Sequence, residues 1–296
     1  MAHFETSDCS DAMTKPCILI TGCSSGIGAA LARAFHQRGA VVYATARRLD
    51  SLAALAQLGL RTLELDVNDD ASIAQALDVV RQEQGCLHML VNNAGYSQVG
   101  AILDLEREHL RRQFETNVIA PFAVTRAALP LLLAARERPA EPATGPTVVN
   151  IGSIVGLFST PFAGAYCASK AALHALSDAL RMEVAPLGVR VVTVQPGAVL
   201  SSFGEHASAL LHLPENSRYQ AVAAGIHARA QASQMGGMPA DRFVQPVVKA
   251  LLCANPCAVI CGGTGSTVLP LLKRWLPLRL FDALLSKRFG LADWKP

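Results

Sequence analysis

Apolar residues along this chain fall into two kinds of segment. Short continuous runs at 17–21, 40–45, 60–65, 87–91, 147–151 and 189–194 have the length and β-branched content of buried strands. Longer stretches between them have helical spacing: 29–38, closed by Gly39; a segment capped by Asp69 or Asp70 and running to about 84; 104–117; 124–136; and the Ala- and Leu-rich run 165–184. Pro121 and Pro130 predict a kink around the 124–136 helix, and Asp50 reads as the N-cap of the helix after the second strand. Residues 137–146 are Pro-rich and polar and read as a surface loop. Six strand–helix alternations in sequence predict an α/β fold, a doubly wound parallel sheet flanked by helices.

The apolar pattern shows no internal repeat and no second domain. The expected organisation is a flexible tail over 1–14, one domain over 15–264, and an amphipathic C-terminal extension over 265–296. With 296 residues, 51% of them hydrophobic, and a mean hydropathy of +0.30, the chain can bury a large core, and disorder is excluded for most of its length. A net charge of +3 and pI near 8.5 are too mild to argue for nucleic acid. No run of 18 apolar residues and no N-terminal apolar signal core is present, so the expectation is an intracellular, cytoplasmic protein. Its eight cysteines then act as small hydrophobes. Cys253, Cys257 and Cys261 are evenly spaced, but Pro256 and the strand-like Ala258-Val259-Ile260 would scatter their side chains, so no metal site is expected.

Candidate chemistry gathers at the ends of the strands. After the first strand, Gly22-Cys23-Ser24-Ser25-Gly26-Ile27-Gly28 leads into a helix. Glycines there let backbone N–H groups and the helix N-terminus approach a pyrophosphate, although the spacing alone also suits an ordinary tight turn. After the second strand stand Arg47 and Arg48, where an acid on a ribose hydroxyl would otherwise be expected. Two guanidiniums suit a 2′-phosphate, hence NADP(H); the alternative is a solvated basic pair. Asp66 sits at the tip of the third strand, Asn92-Asn93-Ala94-Gly95 follows the fourth, and Gly152-Ser153 follows the fifth. Tyr166 and Lys170 stand four apart on the long helix, on one face. An ammonium beside a phenol should draw its pKa down toward the working range, making a pair able to move a proton at an alcohol or carbonyl oxygen.

Taken in order, Thr21-Gly22-Cys23-Ser24-Ser25-Gly26-Ile27-Gly28, Asp66-Val67, Asn92-Asn93-Ala94-Gly95, Asn117, Ser153, Tyr166 with Lys170, and Pro196-Gly197 resemble the short-chain dehydrogenase/reductase family over roughly 17–203. The resemblance implies a Rossmann-type sheet with a substrate lid over about 198–238. It implies an oxidoreductase that moves hydride between NADP(H) and a carbonyl or secondary alcohol. Tyr166 would be the catalytic acid/base. Lys170 would hold the nicotinamide ribose, Ser153 the substrate oxygen, and Asn117 a water in a proton relay. Gly22, Ser24, Ser25, Gly26, Ile27 and Gly28 would cradle the pyrophosphate; Asp66, Val67, Asn93, Ala94 and Gly95 would line the adenosine side. Pro196, Gly197 and Val199 would flank the nicotinamide, with Ser201 near the place where the family often carries a threonine. A homodimer or homotetramer is implied as well. The alternative is a cofactor-binding sensor without turnover, although such proteins usually lose the tyrosine or the lysine, and both are present here.

Substrate identity should lie after Gly197. Residues 201–237 read as irregular, and Phe158, Phe162, Phe203, Leu210 and Leu211 could wall an apolar cleft or belong to the core. Over 267–289, leucines and Trp275 interleave with Lys273, Arg274, Arg279, Lys287 and Arg288, and Pro270 and Pro277 should break the segment into short helices. Such an end can lie on a membrane surface, cover a greasy substrate mouth, or pack as an appendage or dimer contact. Together with Ala46-Arg47-Arg48 and the run 197–203, it resembles the branch that includes 17β-hydroxysteroid, retinol and acyl-dihydroxyacetone-phosphate reductases, which leans toward a lipophilic substrate.

Overall fold

A computed structural model describes residues 15–141, 145–292 and 294. The expected tail over 1–14 lies outside them. The strands are β1 Cys17–Ile20, β2 Val41–Ala46, β3 Arg61–Glu64, β4 Met89–Asn92, β5 Thr147–Ile151, β6 Arg190–Pro196, β7 Val199–Leu200, β8 Met238–Pro239 and β9 Val259–Gly262. The helices are α1 Gly26–His36, α2 Ala53–Gln57, α3 Asp70–Gln84, α4 Arg107–Phe114, α5 Ala120–Ala134, α6 Gly164–Val184, α7 Phe203–Ala209, α8 Ala223–Ala230, α9 Ala240–Leu251, α10 Val268–Trp275 and α11 Leu278–Arg288.

Seven strands form one parallel sheet in the order β3-β2-β1-β4-β5-β6-β9. Residues such as Ile18, Leu19 and Ile20 are buried on both faces because helices cover each side, which is why the strands read as continuous apolar runs. One core cluster joins Ile18, Ile20 and Val42 to Leu31 and Phe35 of α1 and Phe243 and Val247 of α9. The other joins Leu19, Leu90 and Val148 to Val80 of α3 and Val124 and Leu132 of α5. The chain runs from β1 outward through β2 to β3, then returns to β4 on the other side of β1. Strand order therefore reverses between β1 and β4, and the crevice beyond their C-terminal ends is where this architecture takes ligands.

Several expectations are corrected. The helices expected at 104–117 and 124–136 form one continuous run, Arg107–Ala134, with a π-helical turn at Glu115–Ile119 between α4 and α5. Pro121 causes no break, because a proline in a first turn withholds an N–H that the junction does not use. By length and composition that run could cross a membrane, yet half of its most apolar stretch is buried in the protein, as for a core helix. Asp69, not Asp70, caps α3, its side chain accepting from Ala71 N at 3.1 Å. Asp50 is not an N-cap: it sits inside a 3₁₀ turn at Leu49–Leu52 and pairs with Arg48. The strand-like stretch near 258–260 becomes β9, the seventh strand.

The segment read as irregular is largely helical, with α7, a 3₁₀ turn at Arg218–Val222, and α8. Small residues there, such as Gly204 and Ala207, are buried and pack closely, which hides the helical pattern from a hydropathy reading. Pro270 does not break the C-terminal segment, since it lies in the first turn of α10; Pro277 alone separates α10 from α11. Phe281 of α11 is buried edge-on against Phe158, with ring centroids 5.5 Å apart.

Candidate active site

The glycine turn is built by backbone demands. Gly22 has φ +71°, and a Cβ there would sit 2.8 Å from Ala94 Cα, so any side chain would be both strained and in collision. Gly28 is needed for close approach: its Cβ would meet Gly22 O at 2.3 Å and Asn93 Nδ2 at 2.4 Å. Asn93 Nδ2 donates to Thr21 O and Gly22 O, both at 2.9 Å. Thr21 Oγ1 accepts from the N–H groups of Asn93 and Ala94 at 3.0 Å. Thus Asn93 spends its Nδ2 donors fixing the turn. Its place beside Gly22 and Gly28 leaves a glycine-lined hollow at the N-terminus of α1, where backbone N–H groups could meet an anion.

Beside the turn lies an open cavity of about 390 Å³ lined by Cys23, Ser24, Ser25, Gly26, Arg33, Ser51, Leu55, Leu200 and Ser201, among others. Tyr166, Ser153 and Lys170 do not line it, so it borders the glycine turn rather than those three side chains. Arg47 and Arg48 are exposed at the end of β2. Arg48 is engaged by the Asp50 carboxylate, whereas Arg47 takes part in no ion pair among the described residues. Asp66 is half-buried, and its Oδ1 accepts from Asn68 N at 3.0 Å; Val67 behind it is buried.

The end of β6 closes on the same turn. Gly197 N donates to Gly262 O at 2.7 Å, and a Cβ at Gly197 would sit 2.2 Å from Thr264 O. Pro196 and Val199 are held by the β9 and β8 pairings. A Cβ at Gly26 would lie 2.7 Å from Ser201 Cβ, and the Ser25 and Ser202 hydroxyls share a hydrogen bond. Ser201 therefore packs directly on the glycine turn.

The reactive side chains converge from three elements. Tyr166 and Lys170 project from one face of α6, with Lys170 Nζ 5.9 Å from the Tyr166 ring centroid. Lys170 Nζ donates to Ile151 O at 2.7 Å, anchoring it to the end of β5. Ser153 follows that strand, and its hydroxyl lies close enough to the Tyr166 phenol to draw the phenol's pKa down. Asn117 lies in the π turn, fully buried, and is no helix C-cap. Its Oδ1 accepts from Tyr96 N at 3.1 Å, while Nδ2 donates to Tyr96 O and Ser169 Oγ at 3.0 and 3.1 Å. The side chain is thus fully used, which leaves the main chain: Pro121, four residues on, has no N–H to offer the Asn117 carbonyl. Gly95 completes the junction, since a Cβ there would lie 3.0 Å from Asn117 Oδ1 and 3.8 Å from Lys170 Nζ.

Electrostatics correct one expectation. Burial pushes the Tyr166 phenol up to about 12, while the Ser153 hydroxyl and the Arg229 charge pull the other way. Lys170 does not dominate the phenol, because burial brings its own pKa down to about 8 and its ammonium is committed to a carbonyl. Tyr166 is 8% exposed and Lys170 5%, so loss of hydration is the larger effect for both.

Two residues near the site escaped the sequence reading. His174, one turn beyond Lys170 on the same face, is buried and accepts from Ser153 N through Nε2 at 3.3 Å. Its spacing from Tyr166 and Lys170 was a legible signal. Arg229 comes from α8, far along the chain, and nothing local marks it. Of the expected cleft residues, Phe203 lies over Tyr166 at 5.6 Å between ring centroids, whereas Phe158 and Phe162 are core. Leu211 packs against the Phe162 cluster, and Leu210 is exposed.

Residues 16–209 match the family model described as short chain dehydrogenase. A short-chain dehydrogenase of Penicillium ochrochloron is 39% identical over 244 residues, covering 81% of this chain and 86% of the relative. The NADPH-dependent 1-acyldihydroxyacetone phosphate reductase of Schizosaccharomyces pombe is 38% identical over 207 residues, covering 68% and 67%. Among solved structures, a short-chain dehydrogenase from Streptomyces avermitilis superposes with a TM-score of 0.75 at 31% identity, over 96% of this chain and all of that one.

Proposed function

The chain belongs to the short-chain dehydrogenase family of nicotinamide-dependent oxidoreductases, and from that premise we propose that it transfers hydride between NADP(H) and a lipophilic ketone or secondary alcohol, with Tyr166 as the proton donor or acceptor. The carrying observation is the convergence of Tyr166, Ser153, Lys170 and Asn117 beyond the C-terminal ends of β4 and β5. A sensor without turnover would have no use for that group.

The glycine cradle and Arg47 fit the cofactor: Gly22, Ser25, Gly26, Ile27 and Gly28 would hold the pyrophosphate and Arg47 the 2′-phosphate. When bound, NADPH supplies a hydride and leaves as NADP⁺. In reduction, the Ser153 hydroxyl and Tyr166 phenol both meet the carbonyl oxygen. As hydride reaches the carbon, the C=O π pair moves onto oxygen and takes the Tyr166 proton, giving the alcohol and a phenolate. Ser153 steadies the negative charge on that oxygen meanwhile. Lys170 and the Asn117 carbonyl would return a proton to the phenolate from solvent. Oxidation runs the same steps backward. A phenol raised to about 12 stays protonated at neutral pH, the form that gives up the proton in reduction.

The Schizosaccharomyces pombe relative, by its name an NADPH-dependent reductase of an acylated substrate, supports both the cofactor and the lipophilic class. A screen of NADPH oxidation over long-chain 3-oxo esters, steroids, retinal and short aliphatic ketones tests the reading. Turnover concentrated among the lipophilic carbonyls supports it; turnover of none, or of short ketones alone, refutes it.

A second reading concerns α10 and α11. Leu271, Trp275, Leu278, Leu280 and Leu284 are exposed among Lys273, Arg274, Arg279 and Lys287, and Trp275 is 76% exposed. That combination favours peripheral contact with an anionic lipid surface. Flotation with anionic and neutral vesicles tests it: anion-dependent binding lost on removal of 265–296 supports it, and no binding to either excludes it.

A further inference from the structure

Arg229 has no ion-pair partner among the described residues. It projects from α8, half-buried, and its Nε donates to Thr160 Oγ1 at 2.7 Å. Its guanidinium also meets the Cys167 thiol, next to Tyr166 on α6, and its charge reaches the Tyr166 phenol. A second guanidinium, exposed Arg288 at the end of α11, adds to the positive field. That end is pinned against α8: a Cβ at Gly225 would lie 1.9 Å from Phe289 O. No Asp or Glu perturbs Arg229, and the ion pairs among the described residues leave it out.

Partial burial of an unpaired charge is unfavourable, and Arg229 loses part of its hydration here. A hydrophobic side chain would fill the same space at less cost. The guanidinium still has donors beyond Nε in a planar fork that matches a carboxylate or phosphate. We propose that Arg229, backed by Arg288, binds an anionic oxygen group of the substrate, so that the substrate is a carbonyl or hydroxyl compound carrying a carboxylate or phosphate on the lid side of its reacting carbon. This rests on the proposed hydride transfer, with Tyr166 marking where the reacting carbon sits.

A binding measurement separates the two. With NADP⁺ present, the protein is titrated with laurate, dodecyl phosphate and dodecanol at submicellar concentrations, and the melting temperature is followed. Laurate or dodecyl phosphate should stabilise it and dodecanol should not. Arg229→Met should weaken the preferred anion about tenfold or more while the NADP⁺-induced shift persists. Arg229→Lys should retain part of the affinity, and it carries the comparison if the methionine variant does not fold. Equal stabilisation by laurate and dodecanol, no stabilisation by either anion, or an anion shift that survives Arg229→Met would overturn the proposal. In parallel, NADPH oxidation is compared for a long-chain 3-oxo acid and its methyl ester, with the acid expected to be the better substrate. An Arg229-dependent anion shift without NADPH oxidation by any carbonyl would leave the anion site standing and remove the hydride-transfer reading.

Discussion

At the scale of single residues, burial decides the electrostatics of the site. Lys170, with its pKa lowered to about 8, is an ammonium below that value and loses its proton above it. Reduction needs both a protonated phenol and a charged lysine, so kcat/KM should be flat at neutral pH and decline as pH rises through about 8. The Lys170→Met variant should lose that limb along with most of its activity. His174 acts on stability. Burial and the Lys170 charge hold it near 4 instead of 6.5, and its Nδ1 has no hydrogen-bond partner. As pH falls from 6.5 toward 4, the unfolded chain takes up a proton that the folded one refuses, and about 3 kcal/mol of stability is lost. Denaturant melts at pH 7 and pH 5 should show about 2 kcal/mol of this loss, and His174→Gln should reduce it. The meeting of Tyr166 and Lys170 was legible because a spacing of four puts both on one face of α6, and Ser153 stands where β5 ends beside them. The direction of the phenol's shift was not, because it depends on how completely the surrounding elements exclude water.

At the scale of elements, the parallel strands announced themselves because both faces are buried, leaving unbroken apolar runs. The π turn that seats Asn117 did not, although Pro121, which cannot donate to the Asn117 carbonyl, was in view four residues on. The helices within 201–237 were missed because α7 and α8 are short and bury small side chains, such as Ala207 and Ala230, so their packing partners and not their periodicity define them. The C-terminal pair divides into a packed side and an open side. Phe281→Ala should lower stability by about 3 kcal/mol by emptying its seat on Phe158. Trp275→Ala, at an exposed position, should stay within about 0.5 kcal/mol. Thermal melts of the two variants check this, and equal effects would place α11 off the core.

At the scale of the whole molecule, the sheet brings the C-terminal ends of β1, β2, β4, β5 and β6 to one edge, so a cofactor lying along it meets the glycine cradle first and Tyr166 last. Which cofactor depends on β2. NADP⁺ should raise the melting temperature more than NAD⁺ at equal concentration, since stabilisation grows as RT ln(1 + [L]/Kd). Arg47→Ala should close that gap, whereas Arg48→Ala should leave most of it because Arg48 already serves Asp50. Loss of the gap in Arg48→Ala alone would reverse the assignment. The most direct test of the central claim replaces Tyr166 with Phe, keeping the ring and removing its proton, and measures kcat for NADPH-dependent reduction of the best carbonyl substrate alongside NADPH affinity. The expected result is a fall in kcat of about 10²–10⁴-fold with NADPH still bound; reduction at the wild-type rate would contradict it.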